Sequence, residues 1–256
     1  MSSKVSPLQL QRCPTHKALT QCCKGDGFGA QFSALFSVFA YALNASLTFC
    51  TTPWTRMEHG VSSINGGHGT STMWEFVGGP QYGPPATVLT AQMEVGPAMD
   101  GPSRDRALPF VQQFYHRSPK PKLRWFRSGN NVAVHIRRGD VHRSMTQRWV
   151  DVNITIACVA RVLKLVQFRN ASVHVFSDAG SEGELTGVDR LSVMPTIHLR
   201  GDIRATFHHM VMANAFIGTA SAFSGAVGFL RGDEPSFDGA LGSGCVTEYR
   251  EYLHGL

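Results

Sequence analysis

The chain is expected to be an α/β protein built on parallel sheet, with a small and loop-rich N-terminal half. Three observations carry that expectation. Val132-Ala133-Val134-His135-Ile136 is a nearly continuous β-branched and apolar run, as in a strand buried on both faces. Downstream of it, short apolar runs alternate with helix-period stretches, which implies right-handed crossovers between parallel strands. Upstream, the pattern is regular only from about residue 18 to 50 and then dissolves into Gly- and Pro-punctuated chain up to about residue 108.

Taken in order, residues 1–17 read as a loose lead-in. A short strand is expected over 18–23, then the turn Lys24-Gly25-Asp26-Gly27-Phe28-Gly29-Ala30-Gln31. A helix over 31–44 follows from the spacing of Phe32, Leu35, Phe36, Phe39, Ala40 and Leu43. Residues 46–50 form the next strand, which completes half of a nucleotide-binding α/β unit. In the irregular stretch, Trp54, Trp74, Phe76 and Tyr82 stand among glycines, either as a ring-stacking surface or as anchors into the core. A helix over 108–116 and a basic connector over 118–127 lead into the second half. There the expected elements are a strand at 132–136 and a helix at 152–168, with Ile154, Cys158, Val162, Leu165 and Val166 on its apolar face. A strand at 172–176, a short helix near Glu182 and a strand at 193–199 come next. A helix at 204–213, a strand at 216–218 and a helix at 225–230 complete the pattern. Of His208 and His209, one is expected inside and one outside. Met210 and Met212 read as core packing, and Cys158 as a small buried hydrophobe. The tail from Arg231 shows no clear pattern.

Composition narrows the function. In 256 residues, hydrophobic content of 43% against 16% charged excludes wholesale disorder. The net charge of +6 is modest and scattered, densest in RSPKPKLRWFR at 117–127. That suits a phosphate-bearing small ligand or an anionic surface; nucleic acid, which asks for a concentrated basic face, is not an expected partner. The six cysteines form no CxxC pair or His/Cys metal spacing, and no DxD cluster is present, so no metal is expected. No apolar run approaches a membrane span and MSSKVSPLQLQRCPTHK has no apolar h-region, so neither an integral membrane segment nor a signal peptide is expected in this sequence.

Chemistry concentrates where strands give way to helices. In parallel sheets ligands bind beyond the carboxyl ends of the strands. Arg137 and Arg138, following the strand at once, could hold an anion with a guanidinium fork. The plainer alternative is an ion pair with Asp140. The turn 25–31, Ser177-Asp178 and the turn Thr219-Ala220-Ser221-Ala222-Phe223-Ser224 fall at comparable junctions, and the last offers hydroxyls and N–H groups at a helix start. Gly25, Gly27 and Ala30 also fit GxGxxA, but Phe49-Cys50-Thr51-Thr52 lacks the acidic residue that NAD binding calls for.

KGDGFGAQ with its apolar helix, VAVHIRRGD, and DIRATFHHMVMANAFIGTASAFS together resemble, in the expected order, the three motif blocks of the GDP-fucose-dependent fucosyltransferases. The likeness is nearest to the α1,6-, nodulation-type and α1,2- groups, and it spans about half of the chain. It implies a GT-B-like fold of two Rossmann-like lobes, here a small acceptor-side lobe over 18–128 and a GDP-sugar lobe over 129–245. It implies inverting, metal-independent transfer of fucose from GDP-fucose, a donor substrate rather than a cofactor, to a hydroxyl of a glycan or glycoprotein. Location in the secretory pathway is implied as well. On the matching positions, Arg137 would hold the β-phosphate, Arg138 would support it and Asp140 would brace the arginines. His135 would border the nucleotide, Ser221, Phe223 and Ser224 would form the turn against it, and Asp202 is the nearest match to the acidic residue preceding that turn; Asp178 is a donor-binding candidate from its place at a strand end instead. Gly27 and Gly29 would let the backbone approach the sugar–acceptor cleft. Asp140, Glu58, His59 and Asp26 are the candidates for a base. Ala30 stands where many relatives carry Asn, and Ala222 where some carry Ser, which keeps a non-catalytic nucleotide-sugar or glycan-binding protein as the alternative.

Overall fold

The computed structural model describes residues 18–19, 26–50, 54, 57, 69–79, 101–145, 148–232 and 235–238. Strands β1 (Ala18–Leu19) and β2 (Thr48–Phe49) pair in parallel across helix α1 (Phe28–Asn44). Helices α2 (Gly69–Phe76) and α3 (Gly101–Arg117) precede β3 (Asn131–Ile136). The second half runs α4 (Val152–Val162), β4 (Ser172–Ser177), β5 (Thr196–Leu199), α5 (Ile203–Met212), β6 (Ala215–Gly218), α6 (Ala222–Arg231) and β7 (Ser236–Asp238).

Strands β3 to β7 form one parallel sheet in the order β5-β4-β3-β6-β7. Numbered along the chain within the sheet this is 3-2-1-4-5, the doubly wound nucleotide-binding order. Its switch point lies between β3 and β6, the two strands whose connections leave in opposite directions. β3 is central and buried throughout, as its β-branched composition requires. Its alternate residues divide two cores. Val132, Val134 and Ile136 pack with α4, while Ala133 faces the side covered by α1, α5 and α6.

That second core is continuous across the chain. Phe28 and Phe32 of α1 pack with Phe207 of α5, Ala226 and Val227 of α6, and Trp54, Trp74 and Tyr115. Trp54, Trp74 and Phe76 are buried in it, so these aromatics anchor the core; Tyr82 lies outside the described residues.

Several expectations are corrected. α4 ends at Val162 rather than 168, and residues 166–168 form a 3-10 turn. The break removes Leu165 and Val166 from the helical phase, leaving Val166 80% exposed, and Ile154 is exposed too. The buried face is instead Val152, Thr155, Cys158, Val159 and Val162. Cys158 is buried in the α4 core as expected, and it is also disulfide-bonded, as is Cys50. α3 starts at Gly101, seven residues before the expected start, and carries Pro109 inside it. His208 and His209 are both buried: the Tyr115 hydroxyl lies 2.9 Å from His208 Nδ1, and the Trp125 ring stacks 4.3 Å from His209. Met212 is exposed while Met210 is core. The patternless tail supplies β7, which pairs with β6.

Candidate functional site

At the carboxyl ends of β3, β4, β5 and β6 lies a cavity of about 690 Å³, a size suited to a nucleotide-sized ligand. Each strand end hands it residues from its last position or the turn beyond. β3 gives Arg137 and Asp140, β4 gives Ser177 and Asp178, and β5 gives Arg200 to Asp202. The start of α6 gives Ala222 and Phe223, and Asp26 to Ala30 at the start of α1 close the remaining wall. The switch point predicted by strand order and the cavity therefore coincide.

Arg137 is held as a fork by Asp140, Nε donating to Oδ1 at 2.8 Å and Nη2 to Oδ2 at 2.5 Å. They stand three positions apart, so the short turn after β3 places the carboxylate directly against the guanidinium. The hydrogen-bonded carboxylate holds the Arg137 pKa above its usual value despite partial burial, and Asp178 and Asp26 add to it. Asp140 thus braces Arg137.

Arg138 points elsewhere. Its guanidinium donates to the carbonyls of Val150 at 2.9 Å and Arg137 at 2.7 Å and lies 3.9 Å from the Trp149 ring centre. It ties the turn to the segment before α4 and is absent from the cavity wall. Burial lowers its pKa. Its backbone N–H is donated to Asp178 Oδ1 at 2.6 Å, so Asp178 fixes the turn as well as lining the cavity.

His135 lies under the start of α6, with Nδ1 2.7 Å from Ser224 Oγ and its ring 5.3 Å from that of Phe223. Burial pushes its pKa down to about 4; Asp178 opposes the shift and Arg137 adds to it. Ser221 caps its own helix, accepting from Ser224 N at 3.1 Å, and Asp202 does the same for α5 through Arg204 N and Ala205 N. These two caps set the geometry of the wall. The start of α1, with Gly27 as N-cap, has no side-chain cap.

Gly27 and Gly29 both line the cavity. Gly29 has a reason of its own, since a Cβ there would sit 2.3 Å from Phe223 N. The backbone it admits closely is the α6 turn. Asp26 Oδ1 accepts from Gly27 N at 2.8 Å, and Gln31 Nε2 donates to the Asp26 carbonyl at 2.8 Å. Glu58 and His59 lie outside the described residues.

Two cationic wall residues escape sequence reading, Arg200 and Arg204. Arg200 is exposed and has a left-handed backbone with φ of 48°; Arg204 reaches Asp202 Oδ2 at 3.3 Å. The signal that could have found Arg200 is positional: it follows β5 as Arg137 follows β3. No group of three or more potential metal ligands occurs among the described residues.

Comparison with solved structures returns GDP-fucose enzymes. The chain is 15% identical to POFUT1 in complex with GDP, with a TM-score of 0.49, over 90% of this chain and 100% of that one. To the NodZ alpha-1,6-fucosyltransferase soaked with GDP-fucose it is 12% identical, with a TM-score of 0.46, over 84% and 92%. To FUT1 of Arabidopsis thaliana in complex with GDP it is also 12% identical, with a TM-score of 0.46, over 90% and 72%. No family model and no curated protein matches the chain.

Proposed function

We propose that the protein is a GDP-fucose-dependent fucosyltransferase whose donor diphosphate binds in the cavity at the β3–β6 switch point. The observation that carries this reading is Arg137: a guanidinium aligned by Asp140, at the carboxyl end of the central strand, on the wall of a nucleotide-sized cavity. The three-motif resemblance supplies the donor's identity. In the reaction, an acceptor hydroxyl oxygen attacks the anomeric carbon as the bond to the β-phosphate oxygen breaks, and GDP leaves with the electron pair. Negative charge grows on the β-phosphate, where a preorganised arginine stabilises it. That arginine takes the part a divalent cation plays elsewhere, so activity should survive a chelator. Backside attack inverts the anomeric centre. Asp26, at the cavity wall, is the group we assign to receive the hydroxyl proton. The acceptor is a glycan or glycoprotein hydroxyl.

The disulfide-bonded Cys50 and Cys158 favour an oxidising compartment, in keeping with a secretory location. No helix among the described residues is long and apolar enough to cross a membrane.

The deciding experiment is GDP release from GDP-fucose against a panel of glycan acceptors, with Arg137→Ala beside the wild type. Loss of one such donor costs about 3 kcal/mol, a reduction in kcat of about a hundredfold. Equal rates for the two would refute the placement of the site. A second reading rests on Ala30, which brings only a methyl to the wall where many relatives carry Asn. A binding protein of the same fold would take up GDP without turnover on any acceptor.

A further inference from the structure

His135 is 7% exposed and forms part of the cavity wall. Its Nδ1 faces Ser224 Oγ at 2.7 Å, which is the side-chain hydrogen bond the ring makes among the described residues. Ser224 is fully buried, and its Oγ also accepts from Thr219 N at 3.2 Å. A hydroxyl has one hydrogen to give. Among the described residues, the acceptor within reach of that hydrogen is His135 Nδ1. Were Nδ1 to carry the proton, it would donate to Oγ and strand the hydroxyl hydrogen in a dry interior, an arrangement that folded proteins avoid. Burial keeps the ring neutral at physiological pH, so it carries a single proton.

We infer that Ser224 fixes His135 in the Nε2–H tautomer, so that the cavity presents an oriented N–H donor to an acceptor atom of the bound ligand. For a nucleotide sugar that atom is a diphosphate oxygen or an acceptor on the base edge. Ser224 is then a positioning residue, acting on the ligand through the histidine. The local sequence explains how it is held. Ser221 caps α6 by accepting from Ser224 N, which anchors the Ser224 backbone at the first turn. The Ser224 side chain is left to turn inward, and Thr219 N, at the end of β6, fills one of its lone pairs. The charged groups around the ring, Asp178 and Arg137, act on its pKa in opposite senses and leave the tautomer to Ser224. The identity of the ligand rests on the nucleotide-sugar reading; the position of the proton does not.

The test uses the full chain with nitrogen-15 histidine and GDP as the probe. Long-range proton–nitrogen correlations on the wild type should show His135 protonated at Nε2 and bare at Nδ1. A proton on Nδ1 overturns the inference, whether or not GDP binds. Ser224→Ala should mix the tautomers and weaken GDP by about tenfold, the loss of one aligned hydrogen bond. The amide of Gln reaches the Nε2 position and that of Asn the Nδ1 position. His135→Gln should therefore hold GDP within about threefold of wild type, and His135→Asn should weaken it like Ser224→Ala. Equal affinity for the two amide variants overturns the inference. If wild type shows the Nε2 proton yet ignores GDP, the tautomer stands and the nucleotide reading falls. Should Ser224→Ala not fold, the wild-type spectrum and the amide pair still decide.

Discussion

Gly29→Ala tests the contact on which one wall of the cavity depends. A Cβ at Gly29 would lie 2.3 Å from Phe223 N and 2.5 Å from Ala222 C and Phe223 Cα, all of them backbone atoms. Ordinary contact begins near 3.4 Å, so the start of α1 and the α6 turn must part by about 1 Å. Neither can yield cheaply. Phe28, the neighbour of Gly29, is wedged edge-on against Phe207 at 5.0 Å, and Phe223 packs on Phe207 at 5.3 Å. Overpacking of this kind costs about 1–3 kcal/mol. At about 2–4 °C per kcal/mol for a chain of this size, a central value of 2 lowers Tm by about 4–8 °C. Differential scanning calorimetry on both proteins reads that shift, and titration with GDP should show weaker binding because the displaced turn carries Phe223. Gly183→Ala is the control, since its Cβ would meet only Ser181 Oγ at 3.6 Å; it should stay within about 0.5 kcal/mol of wild type. A Gly29→Ala protein as stable as wild type would show that the two helix starts are not in contact.

Stability should fall in acid before the carboxylates titrate. His135, His174, His198 and His208 all have pKa values depressed to about 4, burial being the first cause in each. The folded state thus binds fewer protons than the unfolded one below pH 6.5. Stability conferred by the neutral rings is complete above that pH and drains away between about 6.5 and 4, by up to about 1.4 kcal/mol per pH unit for each ring. Urea midpoints measured from pH 7.5 to 4.5 check this, and a flat profile would contradict it. Arg231 donates to the carbonyls of Met210, Val211 and Ala213 at 3.0, 2.9 and 2.6 Å, closing the end of α5. Arg231→Ala strands those buried acceptors and should cost about 3 kcal/mol by chemical denaturation. Reduction of the disulfides at Cys50 and Cys158 should destabilise the fold by about 2–5 kcal/mol for each bond lost, seen as a lower Tm when scans with and without dithiothreitol are compared.

What the sequence disclosed follows from how strongly each residue's surroundings constrain its type. A central strand must be apolar on both faces, so VAVHI was readable, and with it the position of Arg137 at the strand's end. The alternation of runs carried the parallel sheet for the same reason. Arg137 and Arg138 are alike in sequence yet opposite in direction. The turn after β3 is too short for its geometry to show in composition, and only the folded chain reveals that Val150 and Trp149 receive Arg138. Leu165 and Val166 keep helical spacing past the point where α4 stops, so spacing alone extends its apolar face too far. His208 and His209 were both drawn inside by aromatic partners more than eighty residues away, a pairing that no local pattern records. Ser224 and His135 are separated by 89 residues, and their contact is of the same hidden kind.

The aromatic core that joins α1 to α5 and α6 also bears on how a ligand comes and goes. Rocking α1 away from the sheet would pull Phe28 off Trp54, Phe207 and Phe223 together and open a gap where Gly29 now lies flush against the α6 turn. Such a movement would wet several large rings at once, and α1 is better described as a fixed jamb than as a door. Arg200, on the wall of the same cavity, is solvent-exposed and carries its charge where that wall meets water.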